Sequence, residues 1–274
     1  MAAREPEWVP GGAWLAPGYA EWAPPAALRG VVACLWASVV PDGADRTTLV
    51  LPDACSDLVW EQGVGGYVAG PDTGPVRTVT KAGTVIVGVR FRPSAGATAL
   101  GLPLSEVRDQ RVALADLLPA AARRLPASLS PAEAAARAVD VAGLLIAGAA
   151  PDHAVSRAAV LLRDPAARTE DIAGQVGLSE RQLRRRVHAA AGYGPKTLQR
   201  VLRFRRFVRM LDAAEPPDLA TAAVQAGYAD QAHLTRECAA LSGLTPAALA
   251  RVRAQPSGGS AIMAVPISRK PSRP

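Results

Sequence analysis

From residue 177 to residue 252 the chain partly repeats itself with a period of about 51 residues. A duplicated unit of that size narrows the possible folds more than any other feature of the sequence. Gly192, Pro195, Leu198, Arg200 and Val201 return as Gly243, Pro246, Leu249, Arg251 and Val252, and Gly177 and Leu183 return as Gly227 and Leu234 with one residue of slippage. Each copy reads helix, glycine-containing turn, helix, Gly-x-x-Pro, helix. That order has the chemistry of a helix-turn-helix, so the pattern predicts two of them.

In the first unit Thr169 is placed to cap a short helix holding Ile172, Ala173 and Val176. Ala173 is small, as required where two helices cross closely. Gly177 follows where the turn calls for a positive φ. Ser179 and Gln182 have capping-box spacing at the start of the next helix, whose Leu183 and Val187 face inward, and Gly192 ends it. Arg181, Gln182, Arg184, Arg185, Arg186 and His188 are left facing outward. So many like charges do not stabilise an isolated helix. In a major groove they displace counterions from phosphates, and arginine can grip guanine in bidentate fashion.

The second unit repeats the spacing with Ala223 and Gly227, and its second helix is expected to start near Asp230 and carry Gln231, His233, Thr235 and Arg236 outward. It is less basic, and Asp230 suits a helix N-terminus while repelling phosphate. Between the units, GPKTLQRVLRFRRFVRMLDA reads as one amphipathic helix. Its apolar set is Leu198, Val201, Leu202, Phe204, Val208 and Leu211, with Arg200, Arg203, Arg205, Arg206 and Arg209 as phosphate contacts or a solvated face. Charge placement agrees: residues 152–254 hold 16 Lys/Arg against 10 Asp/Glu, in a chain of 274 residues with net charge +7.

The remainder has a different texture. Residues 1 to about 30 read as an irregular arm. From about 31 to 93, short Val-rich and aromatic runs such as VVACLWASVV, SDLVWE and TVIVGVRF are punctuated by Gly, Pro and Asp, which suits a small antiparallel sandwich or barrel. From about 104 the pattern turns helical, and Ser130, Pro131 and Glu133 open a helix that packs either on its own domain or against a second copy. Residues 150–153 mark a boundary, and 255–274 read as a disordered tail. Hydrophobic residues at 49% are ample for two cores. Cys34, Cys55 and Cys238 are far apart and odd in number, which argues against a disulfide framework or zinc site and suits a reducing cytoplasm. The first residues lack the apolar core of a signal peptide, and the run from Val141 to Ala150 is too short to span a bilayer.

With these residues in view, the segment 152–254 resembles the AraC/XylS family of bacterial transcription regulators. The resemblance rests on A-x3-GLSERQLRRRVHAAAGYGP, the RVLRFRRFVRMLDA helix and AAVQAGYADQAHLTRECAALSGLTP. It implies a tandem helix-turn-helix domain reading two adjacent major grooves of double-stranded DNA. Arg181, Arg184 and Arg185 would face bases from the first unit, and Gln231, His233, Thr235 and Arg236 from the second. One departure is Cys238, where a bulky aromatic is usual, followed by Ala239 and Ala240. An activator of this family would also contact RNA polymerase.

Residues 1–150 resemble, less specifically, the β-rich effector domains of some members, which implies a cupin-like fold that senses a signal or makes a homodimer. His153, His188 and His233 all lie beyond residue 150, so no histidine-based metal centre can form there. The expected class is therefore α+β: a β-rich cupin-like N-terminal domain (1–150), an all-α DNA-binding domain (151–254) and a tail.

Trp36, Trp60, Arg90 and Arg92 are the candidate effector-binding residues: tryptophans line apolar pockets, and two arginines flanking Phe91 on a strand would share a face and could hold a carboxylate or phosphate. The arginines could equally pair with Asp53 or Asp57 to stabilise the fold. No catalytic motif, cofactor motif or metal set is visible, so a non-enzymatic regulator is expected, with no membrane partner. The alternatives are a thiol-based sensor or cupin-type enzyme fused to a DNA-binding module, and an adaptor whose helices no longer touch DNA.

Overall fold

A computed structural model describes residues 17–147, 152–213, 215–254 and 260–263. The N-terminal half runs β1 (Gly18–Trp22), β2 (Val32–Val39), β3 (Arg46–Val50), β4 (Ser56–Glu61), β5 (Gly65–Ala69), β6 (Val76–Thr80) and β7 (Val85–Phe91). Then come α1 (Gly96–Leu100), β8 (Arg111–Ala113), α2 (Leu114–Leu117), α3 (Pro119–Ala122) and α4 (Pro131–Ala147). Six strands form one antiparallel sheet in the order β1-β2-β7-β4-β5-β8, and β6 and β3 pair antiparallel in a second. Alternation along each strand divides the large sheet into two faces. Leu35, Leu58, Trp60, Val87 and Val89 are buried with Ala134, Ala138, Val141 and Ala142 of α4. The opposite face, carrying Trp36 and Val59, looks toward the small sheet.

Several expectations change here. The arm before residue 30 contributes β1, which closes the edge of the large sheet against β2. The segment from 104 is helical only in part: β8 adds to the edge of β5, and Pro119 then separates α2 from α3. The tail contributes β9 (Ser260–Met263), laid parallel along β3 where that strand's edge offers free backbone groups. The other tail residues and the arm before residue 17 lie outside the described residues. Helix α4 starts as expected, with the Ser130 hydroxyl donating to the Glu133 carboxylate at 2.6 Å, and it packs on its own domain's sheet. Among the described residues no helix is long and apolar enough to cross a membrane.

The C-terminal half is helical: α5 (His153–Leu161), α6 (Thr169–Gln175), α7 (Glu180–Ala191), α8 (Pro195–Leu211), α9 (Leu219–Ala226), α10 (Gln231–Ser242) and α11 (Pro246–Ala254). Thr169 is the first helical residue of α6 and not its cap, since Arg168 occupies the capping position without a side-chain bond. Leu183, Val187, Leu198, Val201, Phe204 and Phe207 form the core, and Leu49, Leu51 and Ala54 of the β-rich half join it. The two halves thus share apolar surface. At Gly192 a Cβ would sit 2.6 Å from the Pro71 ring, so glycine both ends α7 in the left-handed region and permits this close approach.

Candidate nucleic-acid interface and effector cavity

The turn between α6 and α7 is built locally. Gly177 takes φ 69°, the Leu178 N–H donates back to the Ala173 carbonyl at 2.9 Å, and Ser179 and Gln182 form the capping box. Leu183 and Val187 are fully buried, which fixes the rotation of α7. Arg181, Gln182, Arg184, Arg185 and His188 are all exposed on its other side. Their commitments differ. The Gln182 carboxamide oxygen accepts from the Ser179 N–H at 2.9 Å, so its NH2 group is what remains to offer. Arg184 pairs with Glu180 one turn earlier. Arg186 is half-buried and held by Asp152 at 2.7 Å, so it anchors α7 to the start of α5. Arg181 and Arg185 have no ion pair among the described residues. Beside this row, Arg184, Arg185 and His188 share a cleft of about 390 Å³ with Thr169, Lys196 and Thr197. Lys196 and Thr197, in the first turn of α8, were missed from sequence. Their signal is position, since the N-terminal turn of a helix opened by Gly194 and Pro195 suits an anion.

In the second unit Gly227 takes φ 94° and Asp230 caps α10 by accepting the His233 N–H at 2.6 Å. Gln231, Thr235 and Arg236 are exposed. His233 is half-buried, edge-on to Tyr228 with ring centroids 5.2 Å apart, and the Thr235 hydroxyl donates to the Gln231 carbonyl at 2.8 Å. The departure at Cys238 is a packing feature: the side chain is fully buried beside Leu234 and Leu241.

The arginines of α8 are mostly structural. Arg200 donates to Glu237 of α10 at 2.6 Å, and Arg203 donates to the same carboxylate at 3.3 Å while its guanidinium lies 5.0 Å from the Tyr228 ring centroid. Arg206 bonds the Arg163 carbonyl at 2.6 Å. The Arg200 and Arg203 bonds clamp the second unit onto the helix that joins it to the first, and the Arg206 bond ties that helix to the chain just past the end of α5. Arg200, Arg203, Arg205 and Arg206 are thus held by partners within the fold, while Arg209 stands exposed.

Between the two sheets of the β-rich half lies a cavity of about 600 Å³. Of the four candidate residues, Trp36 and Arg90 line it and Trp60 and Arg92 do not. Trp60 is one residue out of register with Val59, so it faces the α4 side, where its indole N–H donates to the Pro126 carbonyl at 2.9 Å. Arg92 lies past the end of β7, exposed, with its Nε donating to the Arg29 carbonyl at 2.8 Å. Arg90 does pair with acids, as the sequence allowed: Nε is 3.0 Å from Asp57 and 3.5 Å from Asp53, and Nη1 is 3.2 Å from Glu21. Trp36 donates to Asp57 at 2.7 Å. Burial pushes the Glu21 and Asp57 carboxyls above their usual range, and the Arg90 charge pulls each partly back. Across the sheet Arg111 grips Asp72 with two bonds of 2.7 Å. Asp53 also touches the helical half, since its carbonyl accepts from Arg205 of α8 at 3.3 Å. Arg205 is buried, so Asp53 links a cavity-lining ion pair to the helix between the two units. Cys34, Cys55 and Cys238 are buried, and burial pushes each thiol upward, toward the protonated, unreactive form.

Comparison with known proteins gives two family matches. Residues 20–113 match a domain of unknown function (DUF6597), and residues 172–251 match a helix-turn-helix domain. No curated protein matches the chain. Among solved structures it is similar to a transcriptional regulator from Chromobacterium violaceum, described as one of the AraC-type DNA-binding domain-containing proteins. That match has 25% identity over 38% of this chain and 95% of the other, with TM-score 0.36. It is also similar to ToxT from Vibrio cholerae, at 10% identity over 81% of this chain and 99% of that one with TM-score 0.44. A wild-type ToxT bound to unsaturated fatty acid shows 11% identity over 78% and 93%, with TM-score 0.41.

Proposed function

We propose that the chain is an AraC-type regulator that reads a specific duplex sequence through residues 172–251, which match a helix-turn-helix domain, under the control of a small molecule held in the β-rich half. The observation that carries the reading is the presentation of α7. Its inner face is locked by Leu183, Val187 and the Arg186–Asp152 pair, while Arg181, Gln182, Arg184, Arg185 and His188 stand exposed in one row. A rigid helix bearing arginines is what direct readout in a major groove requires. Lys196 and Thr197 flank the row as phosphate contacts, which set register without reading sequence. Gln231 and Arg236 are the best-placed readers of α10, because His233 and Thr235 already hold partners. Within this reading residues 1–150 sense and dimerise, and residues 151–254 bind DNA. Asp53 supports control: a ligand that repositions its side chain in the cavity also shifts the carbonyl that anchors Arg205.

The test is selection of bound duplexes from a random pool with the whole chain, followed by titration of the selected and a scrambled duplex over a range of salt. Selected duplex is expected to bind about 10³-fold or more tighter, and affinity to fall steeply with salt. A ratio near one would leave the helices as an interaction surface. For assembly, we expect residues 31–148 to form a homodimer. Sedimentation of the 28.4 kDa chain at micromolar concentration then shows about twice that mass, and a monomer rejects the expectation.

A further inference from the structure

We propose that the cavity takes an organic cation, an amine or quaternary ammonium group on an apolar body; the proposal rests on the reading of the cavity as the effector site. The register of the large sheet lays out the cavity floor in rows. Arg90, Asp57, Ala69 and Arg111 stand opposite one another in one row, Gly88, Trp36, Val59 and Tyr67 in the next, and Ser38, Ile86 and Glu61 in the third. In the first row both arginines are already matched, Arg90 by Asp57, Asp53 and Glu21, and Arg111 by Asp72. An anionic ligand would therefore find its two obvious hosts occupied and would face Asp53, Asp57, Glu61 and Asp72 together. In the third row Glu61 is half-buried, and its carboxylate has one neutral partner, the Tyr67 hydroxyl at 3.5 Å, and no ion pair among the described residues. Arg46, toward the same end, donates instead to Ser38 and to the Val39 carbonyl. Among the described residues that line the cavity, Glu61 is thus the charge without an ion pair, and burial pushes its carboxyl upward, with the Tyr67 bond opposing.

The middle row supplies the rest of the site. The Trp36 ring lies over Gly88, where any Cβ would clash with it, and Tyr67 stands on the same face beyond Val59. Aromatic faces attract cations and cover apolar bodies; the Arg90 guanidinium already lies 5.9 Å from the Trp36 ring centroid, so Tyr67 is the face offered to a ligand cation and Trp36 covers its apolar body. Among the described residues no three His, Cys, Asp or Glu side chains form a metal-ligating group, and the aromatic lining suits an organic cation. A volume of about 600 Å³ suits a molecule of drug size.

Three probes that differ only in charge test this: 4-phenylbutylammonium, 4-phenylbutan-1-ol and 4-phenylbutanoate, titrated calorimetrically into the whole chain. The ammonium is expected to bind about tenfold or more tighter than the alcohol, and the butanoate weakest. In Glu61→Gln the ammonium's advantage over the alcohol should fall to within about twofold, with alcohol binding kept. A preference for the butanoate or the alcohol in the unaltered chain, or an advantage that survives Glu61→Gln, overturns the proposal while leaving the cavity a binding site. Silence from all three at millimolar concentration overturns both. The unaltered chain decides the charge class even if the variant fails to fold.

Discussion

Arg185→Ala is expected to weaken binding to the selected duplex by about 1–3 kcal/mol, roughly five- to 150-fold, and to relax discrimination at one base position. Arg185 is exposed and holds no ion pair among the described residues, so none of these competes with a guanine edge for it. Arg184 is equally exposed but must give up Glu180 to reach a base. Such an i,i+4 pair is worth about 0.3–0.5 kcal/mol, so Arg184→Ala should cost somewhat less. Lys196→Ala supplies the contrast. Removing a phosphate-binding charge from the first turn of α8 should lower affinity alike for selected and scrambled duplexes and reduce the salt slope by about one. Anisotropy titrations at several salt concentrations separate these signatures. If Arg184→Ala and Arg185→Ala both leave affinity unchanged, another face of the domain meets DNA.

Arg90→Leu is expected to destabilise the chain by about 3–5 kcal/mol, because removing one member of a buried ionic cluster strands its partners. Glu21, Asp53 and Asp57 all lie within 3.5 Å of the Arg90 guanidinium and would face one another without a counter-charge. For a chain of this size the loss corresponds to a fall in Tm of roughly 6–20 °C. The effect carries a pH signature. Burial already raises the Glu21 and Asp57 carboxyls, and the arginine opposes that rise; without it both go higher still in the folded state. A carboxyl whose folded pKa exceeds its unfolded one binds its proton more tightly when folded. Its contribution is favourable below the unfolded pKa and is lost as the pH rises through the folded pKa. The deficit of Arg90→Leu should therefore be greatest near neutrality and shrink as the pH falls toward the carboxylate range. Thermal unfolding across pH measures it, and a deficit independent of pH would mean that Arg90 acts by packing alone.

What the amino-acid order determined without further help was local. Gly177, the Ser179–Gln182 capping box, the inward Leu183 and Val187 and the left-handed Gly192 all stand where the repeat places them, because turn conformation and helix capping depend on residues only a few positions apart. The exposed arginines of α7 follow from the same periodicity, and short Val-rich runs mark most strands of the β-rich half. Tertiary structure decided the rest. It put Trp60 on the α4 face and Arg92 beyond its strand, and added β1 to a sheet edge. It gave Arg200 and Arg203 to Glu237, and joined Asp53 to Arg205 across 152 residues of chain. A side chain's partner is set by which surfaces exclude water together, and sheet registers and helix packings bring together residues whose separation in sequence carries no trace of the contact.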